Sequence, residues 1–223
     1  MKDFREFLTR GLQSIGIKPA SLYTGEFELY FRELKRWSRA YNITGLRDEE
    51  EILTRLYLDS ILYLKYIPSY GETLLDVGSG GGFPGLVIKI IRRDLGVTLL
   101  EPSRKRVAFL NHVSTMLKLK RLRIVQSTIE EFVKTQSNAE FDVITTKALF
   151  RAVDLVRKSQ GVLRSNGVVL LSKGRAYRDE VAEFEKDRRL SGAFTIEVSE
   201  ETIPLTDIKR YFLIIRRKNV RSL

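Results

Sequence analysis

No cysteine occurs in the sequence, which removes disulfides, thiolate zinc sites, iron–sulfur clusters and cysteine nucleophiles together. Histidine is nearly absent. The single imidazole, His112, lies in the segment RVAFLNHVSTMLKL beside the helical stripe Val107, Leu110, Val113 and Leu117, where packing or surface exposure is the ordinary role. A serine–histidine–acid hydrolase would rest on that residue alone, so this class is set aside. Long hydrophobic runs are missing as well: none approaches the roughly 20 residues of a membrane-spanning helix. The opening MKDFREFLTRGL is a charged amphipathic pattern rather than a signal peptide, so a cytoplasmic protein without membrane attachment is expected. Internal repeats and low-complexity linkers are also lacking.

Acidic residues are in deficit. Against 39 lysines and arginines stand 28 aspartates and glutamates, for a formal charge of +11 and an isoelectric point near 9.8. Such a surplus points to an anionic partner, nucleic acid first. The cations gather at Arg92-Arg93, Arg104-Lys105-Arg106, Lys118 to Arg123, Arg175 with Arg178, and Arg216-Arg217-Lys218. Any one of these groups reads equally as a solvated helix end, so the argument rests on the total.

Present in abundance is patterned apolar sequence. The chain has 223 residues with 43% hydrophobic content, enough for a full core and one main domain with a small extension. Residues 1–70 carry helical stripes: Phe4, Phe7, Leu8, Leu12 and Ile15; Phe27, Tyr30, Phe31, Leu34, Trp37 and Tyr41; Ile52, Leu53, Leu56 and Leu62. A break follows at Pro68-Ser69-Tyr70-Gly71. Beyond it, strands are expected at 73–77, 97–101, 123–127, 141–145, 168–172, 194–198 and 211–216, with helical patterns between the first five. That alternation predicts an α/β fold with a doubly wound, mostly parallel seven-stranded sheet in residues 71–223, behind a helical extension in residues 1–70. The last two strands, with no helix between them, predict an antiparallel hairpin closing the sheet edge.

Five glycines fall within the eight residues from Gly78 to Gly85, between a strand (TLLDV) and a helical face (Leu86, Val87, Ile88, Ile90, Ile91). A strand that turns through glycines into a helix aims backbone N–H groups and a positive dipole end at whatever sits above it, a nucleotide-type site. The dinucleotide fingerprint G-x-G-x-x-G is not met, because its third slot holds Phe83. The turn instead runs Asp76-x-Gly78-x-Gly80-x-Gly82. It resembles the D-x-G-x-G-x-G motif of class I methyltransferases that use S-adenosylmethionine (SAM). The acidic residue expected at the end of the second strand is Glu101, suited to accept hydrogen bonds from two ribose hydroxyls; its ordinary alternative is a helix start ahead of Pro102.

The segment Gly78-Ser79-Gly80-Gly81-Gly82-Phe83-Pro84-Gly85 is similar to the G-S-G-x-G-[LF]-P-G of the bacterial RsmG/GidB family of 16S rRNA guanine-N7 methyltransferases. Further matches are YNITGLRD (41–48), RLYLDSI (55–61), RKRVAFL (104–110), STIEEF (127–132), FDVITTKA (141–148) and SKG (172–174). Two departures stand out. The family's usual histidine in the RLYLDS segment is Leu56, and its serine–arginine–alanine is Thr146-Lys147-Ala148, where lysine keeps the charge but loses the planar fork.

The resemblance implies transfer of a methyl group from SAM, leaving S-adenosylhomocysteine, to N7 of a guanine in 16S rRNA, at family position 527 in a decoding-region loop. The substrate is 16S rRNA or the small ribosomal subunit, the enzyme a monomer, with no metal. Gly78 and Phe83 line the methionine end of the cofactor, Glu101 the ribose, Ile129 and Glu130 the adenine, and Lys147 takes the family arginine's place. Guanine N7 carries an in-plane lone pair and no proton, so it needs no general base. Absence of an N-P-P-Y motif after FDVIT argues against methylation of an exocyclic amine. Asp76 and Lys147 are the catalytic candidates, Asp76 either helping the positive charge that forms on the ring or bracing the turn. For RNA the candidates are Arg47, Arg55, Phe150, Lys173 and Arg175; Phe83 and Phe150 either stack the target base or pack the core. Two other classes remain: an NAD(P) oxidoreductase on the same fold, and a non-enzymatic RNA-binding protein with a relict cofactor fold.

Overall fold

The computed structural model describes residues 4–136 and 138–218. It begins with helices α1 (Phe4–Ser14) and α2 (Ser21–Tyr41). Helix α2 buries Phe27, Tyr30, Phe31 and Leu34 on one face while Arg32, Arg36 and Arg39 stay exposed, the division that the 3.6-residue period predicts. It stops at Asn42, whose left-handed backbone (φ 52°) lets its N–H reach Ser38 O, a conformation that asparagine tolerates. The next helical stretch changes pitch along its length. Helix α3 (Glu49–Ile52), capped by Asp48, widens into a π turn at Leu53–Leu58, continues as α4 (Asp59–Ile61) and tightens into a 3₁₀ turn at Leu62–Lys65. Such π turns re-aim side chains and recur at functional sites.

The rest alternates as expected: β1 (Thr73–Val77), α5 (Gly85–Ile91), β2 (Gly96–Leu100), α6 (Arg104–Met116), β3 (Leu122–Val125), α7 (Ile129–Thr135), β4 (Phe141–Lys147), α8 (Ala152–Ser159), β5 (Leu163–Lys173), α9 (Tyr177–Lys186), α10 (Arg188–Ala193), β6 (Phe194–Thr202) and β7 (Lys209–Arg217). The seven strands run in the order β3-β2-β1-β4-β5-β7-β6, parallel from β3 to β5 and antiparallel at β5–β7 and β7–β6. The predicted hairpin is therefore present, but its second strand lies inside. Phe212 and Ile214 enter one core and Leu213 and Ile215 the other, so β7 is apolar on both sides and suits an interior position. Strand β6 carries Glu197, Glu200 and Glu201 along the sheet edge, where charge discourages pairing with another chain.

The strands' period of two sorts the remaining apolar residues. Leu74, Val143, Val168 and Leu170 face a core shared with α5, α6 and the apolar faces of the N-terminal helices; Leu75, Ile144, Val169 and Leu171 face α7 through α10. Among the described residues no helix is long and apolar enough to cross a membrane. The strand order reverses between β1 and its two neighbours, β2 and β4, and a crevice opens at the carboxyl ends of these strands, the usual place for a ligand in this architecture.

Candidate functional site

The chain leaves β1 through Gly78, Gly80 and Gly82, all with positive φ (73°, 56° and 98°). At Gly82 a side chain is excluded twice over, because a Cβ would stand 2.6 Å from the Tyr30 hydroxyl and 2.9 Å from Leu86 Cβ. At Gly78 the neighbour is Leu149, whose side chain rests where a Cβ would project. The turn is held from several directions. Gly78 and Ser79 N–H donate to Leu100 O at 2.8 and 3.0 Å, Phe83 N–H donates to Ser79 O, and the Tyr30 hydroxyl donates to Gly81 O.

Glu101 follows directly on β2 and is only 3% exposed. Its Oε2 accepts the Gly80 N–H at 2.8 Å and its Oε1 the Ser103 N–H at 2.9 Å, with the Arg106 guanidinium 3.9 Å away. One carboxylate thus ties the glycine turn to the start of α6, and the helix-start reading holds alongside a place in the cleft. Asp76 sits underneath. Its Oδ2 accepts the Gly85 N–H at 3.0 Å, its Oδ1 has no hydrogen-bond partner, and no cation pairs with it among the described residues. Burial pushes this carboxyl up to about 7, against the lowering effect of the bond from the Gly85 amide, with the nearby Glu101 charge adding to the rise. Asp76 therefore braces α5 from below and does not line the cleft.

The cleft above the turn encloses about 340 Å³ and is bounded by Thr44, Leu56, Glu101, Arg106, Lys147 and Leu149, among others. A smaller hollow of about 110 Å³ adjoins it, walled by Ile129, Glu130 and Phe150. Gly78 and Leu149 border both, so the half-exposed Leu149 side chain divides one long groove in two. Ala148, just before it, has φ +59°, a backbone setting that is strained for a residue with a Cβ.

The predicted site residues distribute as follows. Gly78, Gly80, Phe83, Glu101 and Lys147 meet in the larger cleft; Ile129, Glu130 and Phe150 meet in the smaller hollow. Gly82 shapes the turn from behind. Phe83 is 6% exposed and stacks on Tyr30 at 5.4 Å, so it packs the core while presenting an edge to the cleft. Ile129 and Glu130 open α7, whose Thr128 and Glu131 form a reciprocal capping box. Lys158 pairs with Glu130, holding that carboxyl below its usual range, and lies 5.2 Å from the Phe150 ring centre.

Among the RNA candidates, Arg47 donates to Ser38 O and Asn42 Oδ1 at the end of α2, and Arg55 pairs with Glu51 at 3.3 Å. Lys173 is mostly buried against Glu180 at 2.9 Å, while Arg175 is exposed. His112 lies outside the cleft, 2.8 Å from Glu33 and against Trp37. Sequence reasoning passed over Asp59. Buried at 2% exposure, it sits 3.2 Å from Lys147 Nζ, 3.0 Å from Arg210 Nε and 3.3 Å from the Ser172 hydroxyl. Its place inside RLYLDSI was the only available signal, because Arg210 lies 151 residues away.

The family model described as GidB, rRNA small subunit methyltransferase G, matches residues 24–207. Ribosomal RNA small subunit methyltransferase G of Syntrophus aciditrophicus (strain SB) is 33% identical over 199 residues, covering 88% of this chain and 82% of that protein. The protein of the same name from Geotalea uraniireducens (strain Rf4) is 31% identical over 213 residues, 96% of each chain. Among solved structures, precorrin-6y C5,15-methyltransferase from Geobacter metallireducens GS-15 superposes with a TM-score of 0.57 at 14% identity, over 79% of this chain and 99% of that one. A putative caffeoyl-CoA O-methyltransferase from Staphylococcus aureus gives 0.57 at 13% identity, over 95% and 98%. These structures establish the fold, the class I methyltransferase sheet. With the family model spanning most of its length and relatives above 30% identity along nearly all of it, the chain is a methyltransferase and belongs to the GidB family, rRNA small subunit methyltransferase G.

Proposed function

We propose that the protein transfers a methyl group from SAM to N7 of a guanine in 16S rRNA, the guanine at position 527 of the decoding-region loop. One observation carries the choice of acceptor. Among the described residues lining the cleft there is no histidine, and the single carboxylate, Glu101, already has each oxygen engaged by a backbone amide. With Glu101 tied to these amides and its remaining lone pairs directed to the cofactor's ribose, the wall leaves no general base for the acceptor, and N7 is a guanine nitrogen that needs none.

The residues present fit SAM. A side chain on Gly80 would meet nothing closer than Gly78 O at 4.0 Å, so its absence leaves room at the turn. Each Glu101 oxygen spends one lone pair on an amide and keeps another, which can accept from ribose hydroxyls. Gly78 and Phe83 border the methionine end, and Ile129 and Glu130 flank the adenine in the smaller hollow. When bound, SAM supplies a sulfonium-activated methyl group to the ring nitrogen. The chain's own work is to hold the acceptor in line, exclude water and receive the RNA backbone. Arg106 and Lys147 stand at the cleft; Lys147, Asp59 and Arg210 together keep one net positive charge behind its wall.

N7 of a paired guanine in A-form RNA lies in a deep, narrow groove, so the acceptor must be unpaired or turned out of its helix. The helical extension, residues 1–70, with Arg47 and Arg55, then forms one wall of the RNA path, and Lys173 and Arg175 at the end of β5 lie on the other. The test is incubation of the monomeric protein with methyl-labelled SAM and either small-subunit RNA or assembled subunits, followed by nuclease digestion and mass spectrometry. The expected product is one N7-methylguanosine at position 527; label on another atom, or none, overturns the proposal.

A further inference from the structure

A third hollow, of about 260 Å³, lies outside the cleft and is lined by Trp37, Tyr41, Arg104, Lys105 and Ala108. Its aromatic corner is built at helical spacing. Trp37 and Tyr41, four residues apart on α2, hold their rings 5.5 Å apart at a 47° tilt. Trp37 is anchored from behind by Phe109 at 5.7 Å and His112 at 5.3 Å, both on α6. Tyr41 is fixed at the backbone by the left-handed turn of Asn42 yet keeps 49% of its surface exposed. Trp37 packs against the core, whereas the half-exposed Tyr41 ring is not among the residues that do.

Two cations complete the hollow. Lys105 Nζ lies 5.8 Å from the Tyr41 ring centre, and Arg104 shares the lining. Among the described residues neither forms an ion pair, whereas Glu101 lies 3.9 Å from Arg106 next along the chain. Among the described residues no acidic side chain lines the hollow. The hollow also adjoins the cleft along two chain segments: Ile43 and Arg106, which line the cleft, are two residues and one residue from Tyr41 and Lys105. Aromatic faces that accept any base, joined to unpaired cations that take the phosphates, are the chemistry of single-stranded nucleic-acid binding. An apolar peptide would leave Arg104 and Lys105 unmatched.

We propose that this hollow is a binding site for an unpaired nucleotide flanking the methyl acceptor, its base stacked against the Trp37–Tyr41 corner and its phosphate met by Arg104 and Lys105. The proposal rests on the reading of the protein as an RNA methyltransferase and adds what holds the acceptor in place: an anchored neighbour keeps the strand open beside the cleft. It requires no readout of base identity, since every base has a stacking face.

The sequence contains a single tryptophan, so fluorescence excited at the red edge, where tyrosine does not absorb, reports on Trp37 alone. The whole protein is titrated with single-stranded hexauridylate, which lacks guanine and cannot be methylated at N7. Saturable quenching is expected, with the midpoint raised roughly five- to hundredfold in Tyr41→Ala, the range that stacking of one base supplies, and nearly unchanged in Tyr41→Phe. Lys105→Ala is expected to flatten the salt dependence of binding by about 0.7 in log–log slope, one single-strand phosphate contact. SAM affinity in Tyr41→Ala, measured by calorimetry, stays at the wild-type value and shows that the fold is intact. No quenching, or the same midpoint in wild type and Tyr41→Ala, overturns the site. Methyl transfer to small-subunit RNA is read separately. Quenching without transfer supports the nucleotide site and overturns the enzymatic reading; transfer without quenching does the reverse.

Discussion

Asp59 and Asp76 are both sealed from solvent beside the cleft, at 2% and 0% exposure, yet they keep different company. Asp59, behind the wall formed by β4, has two cations within 3.2 Å. Asp76, on β1 under the glycine turn, has one backbone amide and an unpartnered oxygen. Desolvation penalises both charges, but only at Asp59 does an opposite charge offset it; at Asp76 a neutral donor leaves the carboxyl pushed up to about 7. The floor of the site is thus built to tolerate a carboxylic acid and the wall is built to carry ions. The charged side chains of the cleft accordingly lie on the wall.

Breaking the ionic side has the largest expected effect. Asp59→Asn leaves Lys147 and Arg210 without their counter-charge and should cost about 3–5 kcal/mol, read by urea denaturation. Adding Lys147→Met should recover part of the loss, whereas a single variant within about 1 kcal/mol of wild type would show that the trio adds little.

The floor is expected to respond to pH instead. The folded-state pKa of Asp76, about 7, lies above its ordinary 3.8, so the associated stability is fully present below about pH 4 and is lost as pH rises through 7. At 1.36 kcal/mol per pH unit the loss is up to ~4 kcal/mol. Asp76→Asn keeps an acceptor for the Gly85 N–H and should lack this slope, so its stability overtakes that of wild type toward pH 8. Parallel stability–pH curves for the two proteins would show that Asp76 ionises normally.

Glu101 lies between these extremes, a carboxylate held by amides at the rim. Glu101→Ala should weaken SAM by about 1–3 kcal/mol in calorimetry and, because the Gly80 and Ser103 amides lose their acceptor, cost about 1–3 kcal/mol of stability as well. A variant with reduced stability and unchanged SAM affinity would confine Glu101 to bracing the turn.

The smallest change in stability is expected on the outer surface. Arg47→Ala with Arg55→Ala removes exposed contacts worth under about 1 kcal/mol. If both arginines meet phosphates, the log–log salt slope of RNA binding falls by about 1.4, while SAM affinity stays fixed. An unchanged slope would move the RNA path away from the helical extension.

Most of the fold was legible because it is written in local periods. Short apolar runs marked β1, β4 and β7 to within two residues at most of their ends, and 3.6-residue stripes marked α2 and α6. Glycines followed by an apolar helix marked the turn. Where the reading was loose, the pattern itself was loose: β3 ends two residues earlier than expected, and β5 begins at Leu163 rather than 168, through the polar residues Arg164, Ser165 and Asn166.

By itself the sequence determined the parallel alternation, the glycine turn after β1, Glu101 at the end of β2 and the absence of thiol and imidazole chemistry, since each depends on neighbouring residues or on composition. Only the tertiary structure decided that β7 lies inside β6, that Leu149 crosses the groove over Gly78, that Tyr30 closes the back of the turn, and that Asp59, Lys147 and Arg210 share one buried site. These arrangements join segments tens to 151 residues apart. No local period encodes such a meeting: it follows from how helices and strands pack once their apolar faces have been buried, and the charges they bring along then find partners where geometry puts them.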